Sequence, residues 1–267
     1  MMRRLVVLGG VAAAVAYAVL RQRQAERAVP GTLPWGIGSG VNSRLNRPLY
    51  RAVAAGLILA TDDVLLDVAC GEGAFLLEYA THVGRVAGLD LSETKTRLAR
   101  RRLADRIAAG TVEIVEGDAG SLPWEDDHFS AVTSMDAFTL FPDPERVLAE
   151  MRRVLRPGGR AVMQLGWRVP DGTETHKRWG TAWVWDEAEV RRMIEAAGFR
   201  DVAVSYVPIG GDSRLLSLLG RLLMGTDELR LVRAVRPTTE ASSDALAERA
   251  GVDAASVIQP HPLRSTG

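Results

Sequence analysis

The sequence predicts a doubly wound α/β domain, preceded by an apolar N-terminal helix, and three observations carry that expectation. From Asp63 onward, short apolar runs alternate with segments of helical spacing, the pattern of parallel strands joined by crossover helices. Acidic residues close three of these runs in succession, at Asp67, Asp90 and Asp118. A turn of small residues, Ala69-Cys70-Gly71-Glu72-Gly73, follows the first run and leads straight into a helix-like segment. In an open parallel sheet that arrangement puts bare backbone and a helix N-terminus at the carboxyl edge, where ligands bind.

The elements follow in order. Val64–Val68 is the first strand, Ala74–Thr81 the first crossover helix, and Arg85–Leu89 the second strand, ending at Asp90. Thr94–Ala109 is read as one arginine-rich helix, Val112–Glu116 as the third strand and Ala131–Ser134 as the fourth. Asp143-Pro144-Glu145 starts a helix, because it offers a capping carboxylate, a proline at the first turn and an acid beside the helix dipole. That helix runs to Leu155 and stops at Arg156-Pro157-Gly158-Gly159, before the strand Ala161–Leu165. Trp185–Ala197 is a helix closed by Gly198, and Val202–Val207 and Leu229–Val235 are strands linked through the apolar Leu215–Met224. Upstream, Val41–Ala60 has helical spacing, with Pro48 as a break or restart. It precedes the core domain and can cover the ligand edge.

Composition excludes several functions. With 33 basic and 33 acidic residues, nothing suggests a nucleic-acid footprint. One cysteine forbids an internal disulfide, and four scattered histidines give no metal-ligand spacing, so no metal is expected. The N-terminus stands apart. Leu5–Leu20 is uncharged and apolar between Arg3-Arg4 and Arg21, Arg23 and Arg27. As a helix it spans roughly 24 Å, somewhat short of a hydrocarbon core of ~30 Å, a gap that flanking arginines and local thinning absorb. A membrane anchor over residues 1–28 is the preferred reading. A cleaved signal ending at Ala16-Tyr17-Ala18 and a helix lying on the domain are the alternatives. Residues 29–60 then form a linker and cap helix, 61–237 the core domain, and 238–267 a Ser/Thr/Ala/Pro-rich tail expected to be disordered.

The glycine loop narrows the ligand. A phosphate-binding P-loop needs Gly-Lys-Ser/Thr, and Ala74-Phe75 follow Gly73 instead. A dinucleotide fingerprint needs glycine at position 76, where Leu76 stands, so a nicotinamide oxidoreductase is disfavoured. Asp67 and Glu72 repel an anion and favour a ligand that carries positive charge beside a ribose. Asp90 is placed to accept from both ribose hydroxyls, and Asp118 from an exocyclic amine such as that of adenine. Taken singly, each acid can equally be a helix cap or a solvated turn.

At this point the sequence resembles class I S-adenosylmethionine-dependent methyltransferases. The resemblance rests on Asp67-Val-Ala-Cys-Gly-Glu-Gly73, Gly88-Leu-Asp90-Leu-Ser92, Glu116-Gly-Asp118-Ala119 and Leu155-Arg-Pro-Gly-Gly-Arg160, in that order, and covers about Asn42–Pro237. It implies a Rossmann-like seven-stranded sheet with the last strand antiparallel, and S-adenosyl-L-methionine as cofactor. The residues implied at the cofactor are Asp67, Ala69, Cys70, Gly71 and Gly73 for the methionine portion, Asp90 and Leu91 at the ribose, Asp118 and Ala119 at the adenine, and Ser134 near the sulfonium. Ala69 departs from the family's usual first glycine. Ser130 stands where an Asp often opens the fourth strand, a structural position. Cys70 is read as a small loop residue and not a nucleophile, since no histidine lies near it in sequence.

Methyl transfer from a sulfonium is an in-line displacement, to which a protein contributes alignment and exclusion of water. No catalytic residue is therefore assigned. Met135, Asp136 and Phe138 follow the fourth strand and are candidates to line the acceptor channel, with plain packing as the alternative for Met135 and Phe138. His176 is a candidate base, with a solvated loop histidine as the bland reading. Trp167, Trp179, Trp183 and Trp185 gather in the same stretch and suit an apolar site or a bilayer interface as well as ordinary packing. The expected acceptor is a lipid or another hydrophobic small molecule, with the catalytic domain in the cytoplasm. The rival is a non-catalytic, membrane-tethered module that only binds S-adenosylmethionine. What names the acceptor lies in Trp35–Tyr50 and Trp167–Trp185.

Overall fold

Buried residues alternate along the central strands and so sort the sheet into two faces, each covered by helices. The computed structural model describes residues 46–178, 182–209, 215, 217–218, 221–222 and 226–238. The expectations for Leu5–Leu20, for the linker, for Trp35 and Trp179, and for the tail beyond 238 lie outside the described residues.

Helix α1 spans Arg47–Leu57, then β1 Val64–Val68, α2 Ala74–Tyr79, β2 Arg85–Asp90, α3 Glu93–Arg102, α4 Ala104–Ala108, β3 Val112–Glu116 and β4 Phe129–Ser134. A 3₁₀ turn at Phe138–Leu140 precedes α5, Pro144–Val154, and β5, Leu155–Trp167. The strands β6, His176–Arg178, and β7, Ala182–Val184, come next, followed by α6, Glu187–Ala196, β8, Arg200–Pro208, and β9, Glu228–Val235. The main sheet has seven strands in the order β3-β2-β1-β4-β5-β9-β8. From β3 to β5 the pairing is parallel, and β9 runs antiparallel to both β5 and β8. This is the doubly wound sheet with an antiparallel last strand that the sequence predicts.

Leu65, Val86, Ala131 and Val162 face α1, α2 and α3, packing on Leu49, Val53, Leu57, Phe75 and Leu103. Leu66, Val132, Ala161 and Met163 face α5 and α6, packing on Leu148, Met151, Val190 and Ile194. The Asp143 cap holds, its carboxylate accepting from Arg146 N–H at 3.0 Å. Asp186 caps α6 through Glu189 N–H at 2.7 Å, so that helix begins after Trp185 and not at it.

Three elements differ from expectation for identifiable reasons. The predicted helix Thr94–Ala109 is broken at Leu103, whose side chain is 1% exposed and plugs the core beneath Gly73. Arg156-Pro157-Gly158-Gly159 belongs to β5 instead of standing as a stop before it, because Gly158 N–H and Gly159 C=O pair with Arg236. The β6–β7 hairpin has no counterpart in the sequence reading, since His176-Lys177-Arg178 lacks any apolar alternation.

At the edge opposite the glycine loop, a buried polar knot fixes the start of the sheet. Asp63 accepts from Arg160 and from Ser130 Oγ at 2.7 Å, while Ser130 Oγ accepts from Val64 N–H at 2.9 Å. Arg160 also donates to the Ile58 carbonyl at 2.8 Å, which ties the end of α1 to β5. Ser130 is thus structural, and the carboxylate missing at its own position is supplied by Asp63.

Candidate cofactor and acceptor site

The loop after β1 is built to expose backbone. Ala69, Gly71 and Gly73 all have left-handed φ, at 61°, 57° and 72°. Gly71 has nothing within 4 Å of where a Cβ would lie, so this side of the turn is open. Gly73 has no such freedom, because a Cβ would sit 3.0 Å from Leu103 Cδ1 and 3.3 Å from Ala99 Cβ. Gly88 lets the loop approach β2; its Cβ would fall 2.8 Å from Cys70 Sγ. Cys70 N–H donates to the Leu89 carbonyl at 2.9 Å, which fastens the loop to the end of that strand. Burial, reinforced by the charges of Asp67 and Asp90, pushes the Cys70 thiol well up, which leaves it uncharged and a poor nucleophile.

Asp90 accepts Gly71 N–H on one carboxylate oxygen and Ser92 N–H on the other, each at 2.9 Å. One lone pair per oxygen therefore remains for a ligand diol. Leu91, beside it, is 64% exposed although large and apolar. Gly117 N–H donates to the Asp90 carbonyl at 3.1 Å and so brings Asp118 alongside. Asp118 is exposed and caps its own turn through Gly120 N–H at 2.9 Å, while Ala119 is buried.

Asp67 differs from both. It is buried, and its Oδ1 has no hydrogen-bond partner; the same holds for Ser134 Oγ and Thr133 Oγ1 at the end of β4. Burial, then the charge of Asp90 and then that of Asp136, hold the Asp67 carboxyl well above the usual carboxylate range. A buried carboxyl without a donor is costly, and a cationic group arriving there relieves it. Glu72 makes no such contribution: it pairs with Arg102 at 2.8 Å, which offsets its charge. The case for a cationic ligand therefore rests on Asp67 and not on the pair of acids.

Above this point stands a polar group that the sequence reading did not name. Asn46, just before α1, donates to Asp136 Oδ2 at 2.9 Å and hydrogen-bonds Tyr50. Burial, then the nearby charges of Asp136 and Asp67, push the Tyr50 hydroxyl up. Asp136 has a left-handed φ of 55°, and the Gln164 side chain accepts its N–H at 3.0 Å. The residue still presents surface to solvent, yet the protein crowded around its carboxyl raises its pKa, with the Asn46 hydrogen bond acting the other way. Neither Asn46 nor Tyr50 carries a sequence signal beyond lying in the stretch expected to cover the edge.

Of the other candidates, Met135 is buried against the α1 face and Phe138 is fully buried against Phe141, so packing accounts for both. His176 lies on the two-stranded β6–β7 sheet, exposed, with Nδ1 on the Glu174 carbonyl at 2.7 Å. Trp167, Trp183 and Trp185 line a tight crevice with Leu165, Gly166 and Val184. Trp183 and Trp185 stack at 6.1 Å, and Trp183 Nε1 donates to the Phe141 carbonyl. Among the described residues no group of His, Cys, Asp and Glu is arranged to hold a metal.

The family model described as "Methyltransferase domain" matches residues 66–163, the stretch from β1 to β5 that carries Asp67, Glu72, Asp90, Asp118 and Asp136. Residues 66–163 therefore match a methyltransferase-domain family. The ubiquinone/menaquinone biosynthesis C-methyltransferase UbiE of Pseudomonas entomophila is 35% identical over 102 residues, which cover 37% of this chain and 40% of that protein. The chain thus spans about two fifths of the length of the curated relative it matches. Two solved structures share the fold of the methyltransferase domain at lower identity. Geranyl diphosphate C-methyltransferase from Streptomyces coelicolor A3(2) has a TM-score of 0.61 and 20% identity over 72% of this chain and 79% of its own. The [4+2]-cyclase SpnF has a TM-score of 0.60 and 22% identity, over 72% and 80%. A shared fold hosts different reactions, so the reaction has to be argued from the site.

Proposed function

We propose that the protein transfers a methyl group from S-adenosylmethionine to a hydrophobic small molecule of the lipid or quinone class. The observation that carries the cofactor half is the buried, unpartnered Asp67 carboxyl beside a loop of exposed backbone, with Asp90 keeping free lone pairs next to it. That donor set fits the cofactor. Asp67 would take the methionine ammonium, Gly71 and Gly73 with Ala69 and Cys70 would shape the turn around it, Asp90 would hold the ribose diol with Leu91 beside it, and Asp118 and Ala119 would bound the adenine. Ser134, at the end of β4, lies toward the sulfonium. The bound cofactor supplies an electrophilic methyl group, which calls for in-line displacement by the acceptor.

The chain's own residues then align the acceptor and exclude water. Asp136, held between Asn46 and Gln164, is the carboxylate available to accept a proton when the methylated atom must lose one, as a carbon atom does. The similarity to a quinone C-methyltransferase supports an apolar acceptor. For a membrane-spanning anchor the support is the Leu5–Leu20 run, since among the described residues no helix is long and apolar enough to cross a membrane.

The test has two stages. Thermal stabilisation by S-adenosylmethionine and S-adenosylhomocysteine, but not by NAD, reports the cofactor. Transfer of labelled methyl to a lipid extract, or to a quinol lacking its ring methyl, reports the reaction. Binding without transfer to any extract supports the second reading, a tethered binding module.

A further inference from the structure

Large apolar side chains are strongly exposed at five described positions, and three of them share one short segment: Leu215 at 50%, Leu218 at 62% and Leu222 at 78%. The backbone at Leu215, Ser217, Leu218, Arg221 and Leu222 is helical. At about 100° per residue, helical spacing brings Leu215, Leu218 and Leu222 within about 60° of one another, with Arg221 on the flank beside Leu218. Between Ser213 and Thr226 the only charged residues are Arg214 and Arg221, and seven of the others are Leu or Met. One exposed leucine needs no explanation. A row of three with an arginine alongside is what a helix lying in a headgroup layer presents.

The segment's place in the fold matters. It joins Pro208, at the end of β8, to Glu228, at the start of β9. Leu229 is in register with both Trp167 and Val207, so these ends lie beside the carboxyl end of β5. That is the edge bearing the glycine loop and the tryptophan crevice. Arg221 pairs with Asp227 at 2.8 Å, but the arginine is 67% exposed, and such a surface pair contributes little and exchanges for a phosphate oxygen.

We propose that the Leu215–Leu218–Leu222 face rests on a lipid bilayer, with Arg221 at the phosphate level. A bilayer accounts for the basic flank, which neither a second copy nor a covering segment of this chain requires. It also agrees with the apolar run Leu5–Leu20 between arginines, although it stands without that run being an anchor. Docked in this way, the acceptor side of the site faces the membrane.

The experiment uses the full chain carrying Leu218→Cys labelled with an environment-sensitive fluorophore, the native Cys70 being buried. Vesicles of phosphatidylcholine with phosphatidylglycerol are added, and co-sedimentation is measured on the same samples. The expected result is a blue-shifted, severalfold brighter emission that spin-labelled lipid quenches. Adding Leu215→Ser and Leu222→Ser weakens that response roughly tenfold or more. Co-sedimentation with unchanged emission overturns the proposal and leaves the anchor reading standing. Emission already blue-shifted before vesicles are added, or rising with protein concentration, overturns it in favour of a covering segment or a second copy. Absence of co-sedimentation overturns both readings.

Discussion

Ala69 bears a conformation meant for glycine. In sequence it stands where the family it resembles usually has its first glycine, and the structure puts it at φ 61°. A left-handed alanine costs roughly 1–2 kcal/mol. Ala69→Gly removes that strain but adds about 0.4–1 kcal/mol of unfolded-state entropy, so a net stabilisation of about 0.5–1 kcal/mol is expected. Differential scanning fluorimetry should report a Tm higher by about 2 °C, and an unchanged or lower Tm contradicts the strain. Asp67 carries the opposite trade. Its folded pKa lies above the unfolded value, so the native state binds more protons than the unfolded one between those two values. The ligand-free protein therefore loses stability as pH rises from about 4 through that window, and Asp67→Asn abolishes the loss. The same substitution should weaken S-adenosylhomocysteine at least tenfold by removing the ammonium's partner. Calorimetry of wild type in buffers of different ionisation enthalpy should show proton release on binding, because a cation beside Asp67 lowers its pKa. Proton uptake, or tighter binding by Asp67→Asn, would count against this assignment.

Elements defined by local pattern were legible, and those defined by distant partners were not. The strands Val64–Val68 and Val112–Glu116 coincide with expectation because apolar runs between turn residues are local signals. The capped start at Asp143-Pro144 is equally local. Leu103 breaks its helix for a tertiary reason, the space under Gly73, and no window of sequence contains both. The β6–β7 hairpin and the Asn46–Asp136–Gln164 contacts are invisible for the same cause, the latter bridging 90 and 28 positions. Within the site, the strand-end acids could be read, whereas the neutralisation of Glu72 by Arg102 needed the fold. The knot of Asp63, Ser130 and Arg160 makes a testable case of such long-range dependence. Both charges are 3% exposed, and removing one partner from a buried pair costs about 3–5 kcal/mol. Asp63→Ala should lower the urea midpoint accordingly, and combining Asp63→Leu with Arg160→Met should recover much of the loss, since no buried charge is then left unpaired. Equal destabilisation by the single and the double change would show that the knot acts through shape alone.

For the whole molecule, the proposed function requires the domain to meet an apolar acceptor. The chain has 33 basic and 33 acidic residues, so long-range attraction to an anionic surface cannot come from net charge and has to come from local features. The run Leu5–Leu20 is one such feature, proposed as the anchor. An anchor acts on encounter and not on chemistry: it raises the effective concentration of the domain at the bilayer without adding a contact in the site. Deleting residues 1–28 should therefore separate two rates. Methylation of an acceptor embedded in vesicles should fall by about tenfold or more, in line with loss of tethering. Methylation of a short-chain, water-soluble analogue should stay the same, as should stabilisation by S-adenosylhomocysteine. An equal fall with both acceptors would mean that residues 1–28 support the site itself, and no fall with either would mean that the domain reaches its acceptor without them.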